Sequence, residues 1–156
     1  MTTPQRISLA LVIPKQFAIT SNLRLGRFDR AKRVSILRSA AATEWHRALK
    51  KGIAPMQAAH ATCYLTFSDR RRRDPNNWAD TAKALIDGLV DGPKKGTPGW
   101  IGILPDDDSR HLVGPDMRVT EQEKHLGKDH LRVLLTFEPL RITDTVSIAD
   151  LLKEIA

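Results

Sequence analysis

Apolar residues along this chain repeat with two different periods, and the order in which those periods alternate limits what it can fold into. Ile7-Ser8-Leu9-Ala10-Leu11-Val12-Ile13-Pro14 opens on alternating apolar positions and stops at a proline, as a strand with one buried face would. Residues 15–27 are a polar, arginine-rich connection. From Phe28 to about Lys51 the spacing changes to threes and fours, through Ala31, Val34, Ile36, Leu37, Ala40, Ala41, Trp45 and Leu49, and Gly52 closes the run as a residue beyond a helix end does. Period two returns over Ala58 to Phe67, where Cys63, Leu65 and Phe67 alternate with Thr62, Tyr64 and Thr66. A second helix is expected over about Asn77 to Val90, capped by Asp74 or Asn76, with Trp78, Ala82, Leu85 and Leu89 on its packed face. A turn is expected at Gly114-Pro115-Asp116, then a strand beginning at Met117 to Val119 that the charged segment Glu121 to His130 interrupts. Leu131 to Phe137 reads as the last strand, and Ser147 to Ala156 as a short terminal helix with Ser147 as its cap.

At 156 residues the chain has the length of one domain and can bury a core without staples. Its single cysteine, Cys63, lies in an apolar run, which excludes an internal disulfide and a cysteine zinc cluster and marks a core thiol. The five histidines show no metal-ligand spacing, and only His111 stands near the acidic run at 106–108. Gly96-Thr97-Pro98-Gly99 is not followed by the Lys-Ser/Thr of a phosphate loop, so no nucleotide cofactor is expected. The apolar stretch Ile7 to Pro14 is too short to span a bilayer and lacks a cleavage signal, so a cytoplasmic protein with no membrane partner is expected.

A net charge of +7 favours a polyanionic partner. The positive charge is clustered: Arg24, Arg27, Arg30, Lys32 and Arg33 form one group, Arg47, Lys50 and Lys51 a second, and Arg70, Arg71, Arg72 and Arg73 a third. Four adjacent guanidinium groups repel one another unless anions compensate them, and their geometry suits phosphate. Lys94 and Lys95, in the breaker-rich loop Pro93 to Gly99, add a further basic segment.

The arginine run ends at Asp74, and Asn76, Asp80, Lys83 and Asp87 then line the polar face of the second expected helix. Beyond it comes Pro105-Asp106-Asp107-Asp108-Ser109. Phosphodiester hydrolysis at neutral pH calls for a hard divalent ion that sharpens a water and offsets transition-state charge. Magnesium keeps several of its waters, so two or three carboxylates from separate elements can hold it. Asp74, Asp80 and Asp107 or Asp108 are the candidate metal ligands, and Lys83 is placed to meet a phosphate or leaving oxygen or to pair with Asp80 and Asp87.

Three segments taken in order, Arg70-Arg71-Arg72-Arg73-Asp74-Pro75-Asn76-Asn77, Lys83-Ala84-Leu85-Ile86-Asp87 and Gly102-Ile103-Leu104-Pro105-Asp106-Asp107-Asp108-Ser109, resemble the RusA family of Holliday junction resolvases, small phage and prophage endonucleases. The likeness extends over about residues 5–138 and is concentrated in 69–112. It implies an α+β fold, a small mixed β-sheet packed with two main helices, in a single domain over 1–156 whose residues 139–156 are a C-terminal extension. It further implies a homodimer, dependence on magnesium or on manganese in its place, and four-way or otherwise branched DNA as substrate, nicked in pairs. Carried over by position, Asp74 matches the first acidic ligand, Asp108 the last with Asp107 beside it, and Lys83 the helix lysine. Asp74, Asp80, Lys83 and Asp108 are thus the expected catalytic residues, with Arg70 to Arg73, Lys94 and Lys95 on DNA. The family's second acid is replaced by Asn76, and three extra residues precede Lys83, so Asp80, one turn after Asn76, is the expected substitute. The alternatives are a non-catalytic branched-DNA-binding protein of the same fold and a nuclease acting on RNA or single strands; few aromatic residues favour neither stacking platforms nor the latter.

Overall fold

A computed structural model describes residues 5–141 and 148–155. Its elements are β1 (Ile7–Pro14), α1 (Arg27–Lys50), β2 (Ala59–Thr66), α2 (Ala79–Asp91), β3 (Leu112–Val119), β4 (His130–Pro139) and α3 (Ile148–Ile155). The strands form one sheet in the order β1-β4-β2-β3, with β2 and β3 parallel and the other pairs antiparallel. This is an α+β domain: a four-stranded mixed sheet carrying two main helices. The parallel pair needs a crossover, which α2 and the long segment after it supply.

Period two determines which face of the sheet is covered. Ile7, Leu9, Leu11 and Ile13 of β1, Ala59, Ala61, Cys63 and Leu65 of β2, and Leu131, Val133, Leu135 and Phe137 of β4 are buried together with Leu37, Ala41 and Trp45 of α1 and Ala82, Leu85 and Leu89 of α2. The alternate residues Ser8, Ala10 and Val12 are exposed, and His60, Thr62, Tyr64 and Thr66 are half-buried on the other face. Burial pushes the Cys63 thiol up to about 12, so it is the inert core thiol its surroundings indicated.

The helices run side by side in the same direction, with Arg30 near Asp80 at their starts and Arg38 against Gly88 further along. A Cβ on Gly88 would lie 2.3 Å from the carbonyl oxygen of Arg38, so the close approach of the backbones requires glycine there. Trp45, fully buried, donates its indole N–H to Ile101 O at 2.7 Å, which ties α1 to the segment leading into the acidic run.

Two expectations are corrected. Gly114-Pro115-Asp116 is not a turn but lies inside β3. His60 pairs with Val113 and Thr62 with Asp116, so Gly114 and Pro115 both stand opposite Ala61 as a bulge. Gly114 has φ +90°, and a Cβ on it would come 2.6 Å from Ala61 O. An edge strand tolerates proline because one side of its ladder has no partner strand, which the local turn signal cannot convey. The stripe assigned to α1 is also too long: Ala31 is exposed, and burial begins in earnest at Leu37. The cap assigned to Ser147 falls outside the described residues.

Candidate functional site

Asp74 ends the extended segment after β2 and begins a single turn of 3-10 helix, Pro75–Trp78, that feeds α2. Its Oδ1 accepts the backbone N–H of Asn76 at 3.0 Å, and its backbone oxygen accepts that of Asn77 at 3.2 Å. Proline at the first position suits such a start, since its missing N–H would have had no partner. The cap expected of Asp74 or Asn76 is not at α2, which begins at Ala79 after Trp78 with no side-chain cap; Asp74, exposed, caps the 3-10 turn before it instead.

Eight of the 13 residues of α2 are buried, and the remainder include the polar stripe. Asp80 is bound to Arg30 of α1 at 3.1 Å. Lys83 carries the densest interaction of the stripe: its Nζ donates to Asp87 Oδ1 at 2.6 Å and to Asp107 Oδ2 of the loop before β3. Partial burial opposes charging of Lys83, but the hydrogen bonds to Asp107 and Asp87 outweigh it and hold the ammonium above its ordinary range. The hydrogen bond from Lys83 holds Asp107 below the usual carboxylate range. Asp87 moves the other way, raised by burial and, further, by the neighbouring Asp107. Two carboxylates of unlike environment thus share one cation on the rim of the domain.

Asp108 is engaged separately. Its Oδ2 accepts from Arg110 Nη2 at 2.7 Å and Nε at 3.1 Å, its Oδ1 accepts the Arg110 backbone N–H at 3.0 Å, and the Arg110 side chain lowers its pKa. His111 Nε2 lies 3.9 Å from Asp108 Oδ1, while Nδ1 is 2.8 Å from Gln57 O.

The arginine run divides by role. Arg73, only 14% exposed, pairs with Asp69 at 2.7 Å and stacks on Phe67 with its guanidinium carbon 3.8 Å from the ring centre. The hydrogen bond from Arg73 lowers Asp69 to about 2. Arg70 donates to Gln122 at 2.9 Å, and Gln122 donates to Ser68 O at 2.7 Å. Arg71 is 84% exposed, and Arg72 is exposed beside it. Together with Lys124, Arg70, Arg71 and Arg73 line a cavity of about 540 Å³ at the end of β2. Lys94 and Lys95 lie past the opposite end of α2, which at 13 residues separates them from the arginine run by about 20 Å of helix.

Of the expected site residues, the structure brings Lys83 and Asp107 into contact, gives Asp74 and Asp108 separate local partners, and pairs Asp80 with Arg30 of α1. Among the described residues, no three His, Cys, Asp or Glu side chains are grouped closely enough to hold a metal ion. One partnership was not read from sequence. The pairing of Asp87 with Lys83 was expected from their spacing of four, whereas that of Arg30 with Asp80, across 50 residues, carried no local signal. No helix among the described residues is long and apolar enough to cross a membrane. The chain matches no protein-family model and no curated protein at a meaningful level of similarity.

Proposed function

We propose that this protein is a RusA-like endodeoxyribonuclease that binds branched DNA, four-way junctions included, and nicks it with a divalent metal ion, two copies acting on paired strands. The observation that carries the reading is the meeting of Asp87, Lys83 and Asp107, which joins the second and third of the three motif segments on one exposed rim. Their chemistry fits the implied ion, because magnesium accepts one or two carboxylate ligands and completes its shell with water. Asp107 and Asp87 would hold it, and when bound it would sharpen a water and offset charge on the phosphate.

The chain's own residues supply the rest. Lys83, kept charged by its neighbours, can pass from carboxylate to phosphate and offset charge on a departing oxygen. Arg71 and Arg72, exposed before Asp74, meet the backbone of the bound strand. Asp80 anchors α1 through Arg30 and so positions the helix pair around the site. Incubating the protein with a four-way junction and a matched linear duplex, with and without magnesium, and resolving products on a denaturing gel tests the reading. Metal-dependent nicks confined to the junction are expected; no nicks under any divalent ion would overturn it.

A second reading, a branched-DNA-binding protein without catalysis, is favoured by one observation: Asn76 stands where the family pattern has an acid, and the exposed Asp80 proposed in its place is bound to Arg30. Junction binding without nicking would establish it.

A further inference from the structure

Phe28, in the first turn of α1, is 87% exposed, the most exposed large apolar side chain among the described residues. A free aromatic ring of this kind leaves roughly 150–250 Å² of apolar surface in water, which is costly unless a partner covers it. The segment that presents the ring is firmly held. Ile19 N–H donates to Thr81 Oγ1 at 2.8 Å, and that hydroxyl donates back to Ile19 O at 2.7 Å. Ser21 N–H donates to Asn77 O at 2.9 Å and Ser21 Oγ to Asn77 Oδ1 at 3.1 Å. Arg33 closes on Ala18 O at 2.7 Å, and Arg30 on Asp80 at 3.1 Å. Phe28 therefore stands at the same end of the domain as Asp74 and the start of α2, on a pre-organised support.

Its surroundings define the partner. Lys32 lies one turn on, at i+4 on the same helix face, and Arg24 and Arg27 precede Phe28 closely along the chain; all three are exposed. A second copy packed ring to ring would bring two such cationic groups together, which like-charge repulsion opposes. A polyanion that also offers a flat apolar surface matches both features, and an unpaired nucleobase is such a surface.

We propose that Phe28 stacks on an unpaired base of bound DNA while Arg24, Arg27 and Lys32 hold the adjoining phosphates, so that the α1 arm selects DNA with open or distorted pairing. This rests on the DNA-binding part of the reading above and not on its catalytic part. The test is equilibrium binding without divalent metal, by fluorescence anisotropy, to a linear duplex, to the same duplex with a two-base bulge, and to a four-way junction. 2-Aminopurine is placed at the bulge or branch. Wild-type protein is expected to change the 2-aminopurine emission on binding. Phe28→Ala should weaken binding to bulge and junction about 5- to 100-fold, leave duplex affinity within about twofold, and abolish the emission change, while Phe28→Trp retains both. Because the ring is 87% exposed among the described residues, the thermal midpoint of Phe28→Ala should match wild type, so a folding defect cannot stand in for the effect. Unchanged affinity and emission in Phe28→Ala would overturn the proposal, as would a change in sedimentation mass without DNA and with no change in binding, which would assign the ring to self-association. Since no metal is present, absence of nicking and absence of stacking are separate results.

Discussion

The two long helices share one sheet face and run in the same direction, yet they are embedded to very different depths. α2 buries eight of 13 residues; α1 buries five of 24, all from Leu37 onward. A helix sunk so far into a core cannot shift without breaking many contacts, so the side chains on its one free stripe are held in place. The first turns of α1 bury no residue fully and are held by polar bonds from Arg30 to the start of α2 and from Arg33 to Ala18 O after β1. The difference teaches a division of labour: α2 is suited to hold chemistry to fractions of an ångström, α1 to present a charged and aromatic surface to a large partner.

The strongest way to break this comparison is to attack the fixed stripe. Asp107→Asn and Asp87→Asn should each lower the nicking rate by on the order of 100-fold or more, about 2.7 kcal/mol, while junction affinity stays similar or rises because negative charge is removed. Asp80→Asn, which loosens only the tie to Arg30, should cost less than about tenfold. Single-turnover assays on a labelled junction rank the three variants, and an Asp80 effect equal to that of Asp107 would mean that the arm takes part in the chemistry.

Next in size is the depth of α2 itself. Gly88→Ala places a Cβ 2.3 Å from Arg38 O, a backbone atom that cannot swing aside, so overpacking should cost about 1–3 kcal/mol. A thermal melt showing an unchanged midpoint would mean that the helices separate at little cost and that α2 is no more fixed than α1.

Within the arginine run the same contrast recurs on a smaller scale. Arg73→Ala removes an ion pair and ring stacking that are part of the fold, and should lower stability by about 1 kcal/mol. Arg71→Ala should leave stability unchanged and reduce the slope of log affinity against log salt by about one, as expected for one lost phosphate contact. Chemical denaturation and binding titrations at several salt concentrations separate the two. Equal effects of both variants on the slope would place Arg73 on DNA as well.

The smallest expected effect is an acid-side loss of stability through Asp69. Arg73 lowers the folded-state value to about 2 from an ordinary 3.8, so folding is favoured above pH 3.8 and that contribution disappears as pH falls through about 2. Asp69→Asn should remove this part of the pH dependence and leave the neutral range untouched, measurable as a flatter denaturation midpoint against pH between about 4 and 2. An unchanged profile would mean that Asp69 and Arg73 do not pair in solution.

Much of the fold was legible along the chain because period two and period 3.6 each state which residues share a face. β1 spans Ile7–Pro14 as its alternation requires, α1 and β2 begin and end within a residue of their patterns, and Trp78, Ala82, Leu85 and Leu89 turn inward as their spacing requires. Periodicity tells a side chain which way to point but not whether anything is there to meet it, which is why Ala31 follows the stripe and still lies in water. The first half of β3 was missed for a related reason, since Gly114-Pro115 reads as turn chemistry except opposite a bulge at a sheet edge, while its end at Met117 to Val119 was expected.

What the sequence by itself determined is the inventory and its order: an arginine run, an acid at a helix start, a lysine with an acid one turn later, and a triple aspartate beyond. Local rules reach about one helical turn, so they place Asp87 beside Lys83 and let Asp74 cap its own turn. Only the tertiary structure decided which distant charges meet. Asp107 rather than Asp108 reaches Lys83 across 24 residues, and Arg30 claims Asp80 across 50. Those partnerships follow from where the burial of α2 and the tether from Trp45 to Ile101 set the backbone, and such long-range packing leaves no mark on the residues immediately around each charge.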